Sequence, residues 1–125
     1  MPSSYLGGRL RSFGHAFRGL AILLRSQHNA RIHAAATVLA VAAGALLRIS
    51  PVEWALVALA VLCVWATEAI NTSIEFLVDL VSPELHPLAA KANDVAAGAV
   101  LVAALGSLVV GVLVFGPYVL KLLQR

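Results

Sequence analysis

Three long apolar runs, separated by short polar segments that contain proline, dominate the pattern of this chain. The runs cover about residues 32–49, 54–81 and 89–123. Each is long enough for a helix to cross the hydrocarbon core of a bilayer, so the pattern predicts three membrane spans. Alanine and glycine recur in the first and third runs, and small residues let helices approach closely. We expect Gly111 and the pair Gly116-Pro117 to loosen the far end of the third helix.

The residues before the first run show an amphipathic pattern. At helical spacing, one stripe is apolar and another carries arginines seven residues apart: Phe13, Phe17, Leu20 and Leu24 on the first, Arg11, Arg18 and Arg25 on the second. A helix of this kind, over about residues 9–28, lies in the membrane interface with its arginines at the head groups. We therefore divide the chain into an N-terminal cytoplasmic or interfacial segment, 1–28, and a membrane domain of three helices, 29–125.

The composition is that of an integral membrane protein. Of the 125 residues, 61% are hydrophobic and 12% are charged, and the mean hydropathy is +0.92. Soluble domains are about 45–50% apolar and about 25% charged, so the fold class is an all-α membrane protein. Five arginines precede the first span, whereas the loop after it has only Arg48, which predicts a cytoplasmic N-terminus and, after three spans, an outer C-terminus. With so much surface facing lipid, the net charge of +3 does not indicate nucleic-acid binding.

Four polar side chains interrupt the second run at its cytoplasmic end. Glu68, Asn71, Glu75 and Asp79 are spaced by three, four and four residues, so they project from one face of a helix. An ionisable group in a membrane span is costly without a partner, which makes it a functional candidate. Asp79 has a second interpretation, as a loop cap or a partner of Lys91. From the residues alone, the chain is a membrane protein with an acidic site at its cytoplasmic face.

The predicted topology brings further polar residues to the same depth. They are Arg11, Arg18, Gln27, His28, Asn29, Arg31 and His33 before the second span, and Glu84, His86, Lys91, Asn93 and Asp94 after it. Carboxylates beside cations suit phosphoryl transfer, because Mg²⁺ takes oxygen ligands and the transferring group needs positive charge. The sequence has no Walker-type glycine-rich loop and no kinase catalytic-loop sequence. We interpret His15, His28 and His33 as interfacial residues rather than ligands, since their spacing is not that of a zinc site.

Three segments carry a resemblance to a known family. EAINTSIE (residues 68–75), SPELHPLA (82–89) and DVAAGAVL (94–101) closely resemble the signature of the prokaryotic diacylglycerol kinase and undecaprenol kinase family. The segments at 29–33 and 49–54 also fit, and the match covers about residues 9–116. The second and third segments look more like the undecaprenol kinase branch than the enterobacterial diacylglycerol kinase branch.

This resemblance implies a homotrimer that transfers the γ-phosphate of MgATP to a lipid hydroxyl, at sites near the cytoplasmic interface that neighbouring subunits share. Carried over, Glu68 would be the general base, Asn71 would orient groups beside it, and Glu75 would bind the metal near ATP. Asp94 would belong to the nucleotide site, and Glu84 and His86 would lie in the loop beside the nucleotide.

Two positions depart from the family pattern. Gln27 stands where the family commonly has a glutamate that is a second metal ligand, and Asn93 stands where it commonly has a lysine. Gln27 still offers Mg²⁺ a carbonyl oxygen, but a neutral ligand binds more weakly. Asn93 removes a cation that could neutralise phosphate, a role that Lys91 or an arginine could take.

The sequence alone is compatible with several functions. Undecaprenol is the favoured substrate, diacylglycerol is the leading alternative, and GTP is open beside ATP as the donor. A protein of another class, a small transporter or channel subunit, would place its carboxylates near the middle of the bilayer. An inactive scaffold would explain the departures at Gln27 and Asn93. The clustering of the polar residues at one side of the membrane favours the lipid kinase.

Overall fold

The computed structural model describes the backbone of residues 3–84 and 86–124, with side chains from residue 7 onward. It contains four helices: α1, Ser3–Ser26; α2, His28–Leu47; α3, Pro51–Val81; and α4, Pro87–Leu123. Helices α2, α3 and α4 are each long and apolar enough to cross a membrane. No strand occurs in the described residues. The predicted all-α membrane fold, an N-terminal helix followed by three spanning helices, is confirmed.

The three spanning helices begin earlier than the apolar runs predicted. Capping side chains outside the runs start α3 and α4, whereas α2 begins at His28 without a side-chain cap. At the start of α3, the Ser50 side chain accepts from the Glu53 N–H at 3.3 Å, and the Glu53 carboxylate accepts from the Ser50 N–H at 2.7 Å. This capping box, with Pro51 in the first turn, begins α3 at residue 51 rather than 54. At α4, His86 Nδ1 accepts from the Leu88 N–H at 3.2 Å and begins the helix at Pro87.

Helix α2 ends in a tight turn. Arg48 adopts a left-handed conformation with φ 53, and the Ile49 N–H donates to the Gly44 carbonyl at 3.2 Å. This geometry closes the last turn of a helix, so α2 ends at Leu47 and not at 49 as predicted. The turn brings α3 back antiparallel to α2.

The far end of α4 reaches residue 123, where the apolar pattern predicted it. Pro117 lies inside the helix, which continues without interruption to Leu123, so neither Gly111 nor Gly116-Pro117 ends it. Proline in a helix leaves one carbonyl without its amide partner, but the missing bond alone does not stop a long apolar helix whose other residues favour it.

Packing between the spanning helices is most extensive between α3 and α4, and α2 lies against α3. Near the α2–α3 turn, the buried side chains Ile49, Val57 and Val114 form an apolar cluster. Large apolar side chains elsewhere face outward, as expected of surfaces that meet lipid or other subunits; examples are Leu39, Leu62, Leu101, Val109 and Leu113.

The junction between α1 and α2 is held by one arginine. Arg31 donates from Nε to the Leu24 carbonyl at 3.1 Å and from Nη2 to the Arg25 carbonyl at 2.7 Å. These are carbonyls at the end of α1 that have no helical partner, so Arg31 caps α1 as well as adding charge. Between the helices, Gln27 is extended, at φ -110 and ψ 124. Arg31 therefore helps to direct Gln27 over the polar end of α3, the end that carries Glu68 to Asp79.

Candidate active site

Glu75 is held by two neutral amides. Gln27 Nε2 donates to Glu75 Oε2 at 3.0 Å, and Asn71 Nδ2 donates to Glu75 Oε1 at 2.9 Å. Asn71 lies one turn before Glu75 on α3, whereas Gln27 reaches it from the α1–α2 junction. Each carboxylate oxygen thus accepts one hydrogen bond, which fixes the orientation of the group. Three of the residues predicted for the site come together here.

Glu68 lies two turns before Glu75 and is fully buried, with an exposed fraction of 0%. Neither of its carboxylate oxygens has a hydrogen-bond partner in the structure. The nearest basic group is the imidazole of His33 on α2, whose Nε2 lies 3.7 Å from Glu68 Oε2. Burying an ionised carboxylate without a hydrogen bond is costly, so a ligand that donates a proton or hydrogen bond to Glu68 is strongly favoured.

Other buried polar atoms near Glu68 also lack partners. They are His33 Nε2, Asn71 Oδ1 and Thr72 Oγ1. Asn71 and Thr72 follow Glu68 by three and four residues, so the three side chains share one face of α3. Because buried polar groups are normally satisfied, such a concentration is a candidate ligand site.

A second group of predicted residues surrounds a cavity at the start of α4. The cavity has a volume of about 360 Å³ and is lined by Asp79, Glu84, His86 and Asn93, among others. Asn93 Oδ1 is buried without a partner. His86 already has a structural role, since its Nδ1 caps α4. Three of the residues expected beside the nucleotide, Glu84, His86 and Asn93, are therefore grouped, and Asp79 joins them.

Lys91 and Asp94 do not line this cavity at the start of α4. Lys91 lines another cavity, of about 600 Å³, between α3 and α4, together with Thr67 and Asn71. Within residues 3–84 and 86–124, no ion pair joins Asp79 to Lys91. Asp94 is exposed and does not line either cavity. It lies seven residues after Pro87, in the third helical turn, so the favourable field of a helix start does not explain it.

The described residues include no group of three or more histidine, cysteine or acidic side chains that could hold a metal ion. The predicted pair of Glu75 and Gln27 supplies one carboxylate and one amide. Asn71 adds a carbonyl oxygen that has no partner. Mg²⁺ is often held by only one or two carboxylates together with substrate phosphates. The donors at Glu75, Gln27 and Asn71 fit a site of that kind, although they would bind the ion weakly without a phosphate.

His33 is the site residue that the sequence pattern did not identify. It was interpreted as an interfacial residue, but its side chain is only 16% exposed and faces Glu68. The available signal was an imidazole close to the beginning of the apolar run of the first span. Nothing in that run indicates which partner the imidazole meets, because the partner lies on another helix.

Together, three helices able to span a membrane and a buried acidic site at one end define a small multi-pass membrane protein. A family model described as prokaryotic diacylglycerol kinase matches residues 14–115. The chain belongs to this family, and it is a lipid kinase.

Its relatives include an undecaprenol kinase and several diacylglycerol kinases. An undecaprenol kinase from Bacillus subtilis (strain 168) is 41% identical over 107 residues, which cover 86% of this chain and 87% of the relative. A diacylglycerol kinase from Synechocystis sp. is 38% identical over 115 residues, covering 91% of this chain and 66% of the relative. The diacylglycerol kinase of Escherichia coli (strain K12) is 29% identical over 94 residues, covering 75% and 77%.

Proposed function

We propose that this protein transfers the γ-phosphoryl group of ATP to the hydroxyl of undecaprenol, forming undecaprenyl phosphate and ADP. The observation that carries the proposal is the Glu68 carboxylate, which is fully buried and has no hydrogen-bond partner. A lipid hydroxyl supplies the missing donor. The similarity to the undecaprenol kinase of Bacillus subtilis supports this choice of lipid.

A groove beside Glu68 supports a lipid substrate. It lies between α2, α3 and α4, has a volume of about 560 Å³, and is lined mainly by apolar residues, among them Ala36, Ala40 and Ala104. His33 lines one end of the groove and also lies beside Glu68. A chain lying in the groove would therefore place its terminal hydroxyl near the carboxylate. One groove suits an alcohol with one chain, such as undecaprenol, better than a lipid with two chains.

In the proposed reaction, Glu68 acts as the general base. The lipid oxygen attacks the γ-phosphorus while its proton passes to the Glu68 carboxylate, and the bond from the γ-phosphorus to the ADP oxygen breaks. A carboxylate that water does not reach is an effective base, because no solvent competes for its lone pairs. Asn71 lies between the proposed base, Glu68, and the Glu75 carboxylate, since it donates to Glu75 and lies one turn from Glu68.

Glu75, with Gln27 and Asn71, would hold Mg²⁺, which supplies positive charge to the phosphates of the nucleotide when it is bound. The hydrogen bonds from the two amides keep the Glu75 carboxylate oriented before the ion arrives. We assign the nucleotide to the neighbouring cavity, with Glu84, His86 and Asn93 as its contacts. Asp94 would contact the nucleotide from outside this cavity.

The proposed assembly is a homotrimer in the bacterial plasma membrane, with the site at the cytoplasmic face, the N-terminus cytoplasmic and the C-terminus outside. The arginines of α1 and the outward apolar faces of the spanning helices support this arrangement. Residues 1–28 would serve as the interfacial segment and residues 29–125 as the kinase domain. Exposed Asp94 is then available to a site that a neighbouring subunit completes.

The test is transfer of label from γ-labelled ATP in detergent micelles that contain Mg²⁺, with undecaprenol and diacylglycerol offered in parallel. Preferential labelling of undecaprenol supports the proposal. Preferential labelling of diacylglycerol would support the second candidate, which the Synechocystis relative favours. If a folded, oligomeric preparation labels neither lipid, the proposed substrates are wrong.

A further inference from the structure

We propose that His33 is a positioning residue for Glu68, holding the carboxylate toward the lipid hydroxyl by an N–H···O hydrogen bond. The catalytic consequence of this inference rests on the proposed function. The contact between the two side chains is independent of that function and is tested separately below.

The burial of the pair argues for this role. The Glu68 side chain is 1% exposed and the His33 side chain 16% exposed, and the two face each other across α2 and α3. Both Glu68 oxygens and His33 Nε2 lack hydrogen-bond partners. The Nε2···Oε2 distance of 3.7 Å exceeds the upper limit of a usual N–H···O hydrogen bond, about 3.2 Å, by about half an ångström, so a movement of that size forms the bond. In the described residues no other basic side chain forms an ion pair with Glu68.

A polar link nearby fixes the helices that carry the pair. Trp65 Nε1 on α3 donates to Thr37 Oγ1 on α2 at 3.0 Å, and Thr37 Oγ1 donates to the His33 carbonyl at 2.7 Å. Thr37 follows His33 by one turn, and Trp65 precedes Glu68 by about one turn. Because α2 and α3 run antiparallel, the link at Thr37 and Trp65 places His33 opposite Glu68.

The position of His33 also connects the base to the groove. Its side chain lines the groove that we assign to the lipid chain, while Nε2 faces the carboxylate. An imidazole N–H there binds one Glu68 oxygen and leaves the other free for the substrate. Without it, the buried carboxylate can rotate, and small errors of orientation at a reacting group cost large factors in rate.

Transfer kinetics of four proteins test the catalytic consequence: wild type, His33→Leu, His33→Gln and His28→Gln. His28 is an exposed histidine on the same helix and serves as the matched control. We expect His33→Leu to lower kcat by about tenfold or more, with the KM for ATP changed less than about twofold. His33→Gln retains an N–H donor and should recover most of the lost rate, which loss of packing alone would not explain. His28→Gln should match wild type.

Thermal unfolding of His33→Leu, Glu68→Gln and the double variant, without substrate, tests the contact itself. If the side chains interact, the shift in midpoint caused by His33→Leu should be clearly different in the Glu68→Gln protein. The role of His33 is wrong if a folded His33→Leu protein keeps wild-type kcat, or if His33→Gln is as slow as His33→Leu. Additive midpoint shifts would show that the side chains do not interact. If wild type labels no lipid, the proposed function fails, while the unfolding cycle still decides the contact.

Discussion

Gln27 donates its side-chain amide to Glu75 Oε2 at 3.0 Å, although 48 residues separate the two in sequence. The contact is possible because the chain is extended at Gln27 and Arg31 caps the end of α1 beside it. Gln27 stands where the resemblance led us to expect a glutamate. The structure therefore places a neutral amide donor where a second carboxylate would face Glu75, and this should set how strongly the site holds a divalent cation.

Replacing Gln27 with glutamate should strengthen metal binding. Two carboxylates would face each other at Glu75, which is unfavourable without a cation and favourable with one. We expect the Mg²⁺ concentration for half-maximal transfer to fall by about threefold to tenfold, since a charged ligand replaces a neutral one. The melting temperature should fall in metal-free buffer and rise more steeply with Mg²⁺ than that of wild type.

The same substitution at an exposed position, Gln124→Glu at the end of α4, is the matched control. It adds the same charge far from Glu75 and should leave both the Mg²⁺ dependence and the melting temperature unchanged. A Gln27→Glu protein with the Mg²⁺ dependence of wild type would remove Gln27 from the metal site.

Glu68→Gln should abolish transfer and leave the proposed trimer intact. Glutamine has nearly the same shape as glutamate but cannot accept the proton of the lipid hydroxyl, and a general base contributes about 10²- to 10⁴-fold to a rate. The fold should tolerate the change, because it removes a buried, unpartnered carboxylate. Labelled product is measured beside size-exclusion elution. A Glu68→Gln protein with a near-normal rate would show that another group is the base.

The apolar runs and the spacing of Glu68, Asn71 and Glu75 were sufficient to predict the spanning helices and the polar face of α3, because both depend on residues close in sequence. The contacts between different helices could not be predicted from residues close in sequence. The pairing of His33 with Glu68 depends on the register of α2 against α3, which the link between Thr37 and Trp65 helps to set. Local periodicity contains no information about that register.

The positions where the helices begin and end also depend on signals close in sequence. Ser50 and Glu53 form a recognisable capping box, so the beginning of α3 could have been predicted more closely from short-range signals. The length of the third apolar run predicted the continuation of α4 through Pro117 to residue 123, although glycine and proline alone are signals of a break. The third-turn position of Asp94 follows from where His86 begins α4.

Gly44 should not tolerate a side chain. A Cβ added there would lie 2.7 Å from Trp54 Cη2, 2.9 Å from Trp54 Cζ2 and 3.0 Å from Ile49 Cδ1. Contacts this short require the indole to move within the packed turn between α2 and α3, so Gly44→Ala should destabilise the protein by about 1–3 kcal/mol. The effect is measured as the shift of the unfolding midpoint in detergent.

Two further variants test whether contact with the Trp54 indole causes the loss of stability in Gly44→Ala. Gly106 has nothing within 4 Å of an added Cβ, so Gly106→Ala should cause no comparable loss. Trp54→Phe removes the two indole atoms that the new Cβ would meet, so Gly44→Ala should cost less in the Trp54→Phe protein than in wild type. An equal cost in both proteins would mean that the indole is not what excludes a side chain at residue 44.

Tyr118→Phe should lower stability and leave transfer unchanged. The Tyr118 hydroxyl donates to Glu53 Oε2 at 2.8 Å, joining the end of α4 to the start of α3, and the same oxygen accepts from the Ser50 N–H. Removing the hydroxyl loses one hydrogen bond but keeps the cap of α3, so the unfolding midpoint should fall by only a few degrees.

The rate should not change, because Glu53 and Glu68 are separated by 15 residues of one helix, roughly 22 Å along its axis. In a Glu53→Ala protein the tyrosine has lost its partner, so adding Tyr118→Phe should have almost no further effect on the midpoint. If Tyr118→Phe instead slowed transfer while the midpoint stayed at the wild-type value, the two ends of α3 would be coupled during the reaction, and this hydrogen bond would act on the site rather than on stability alone.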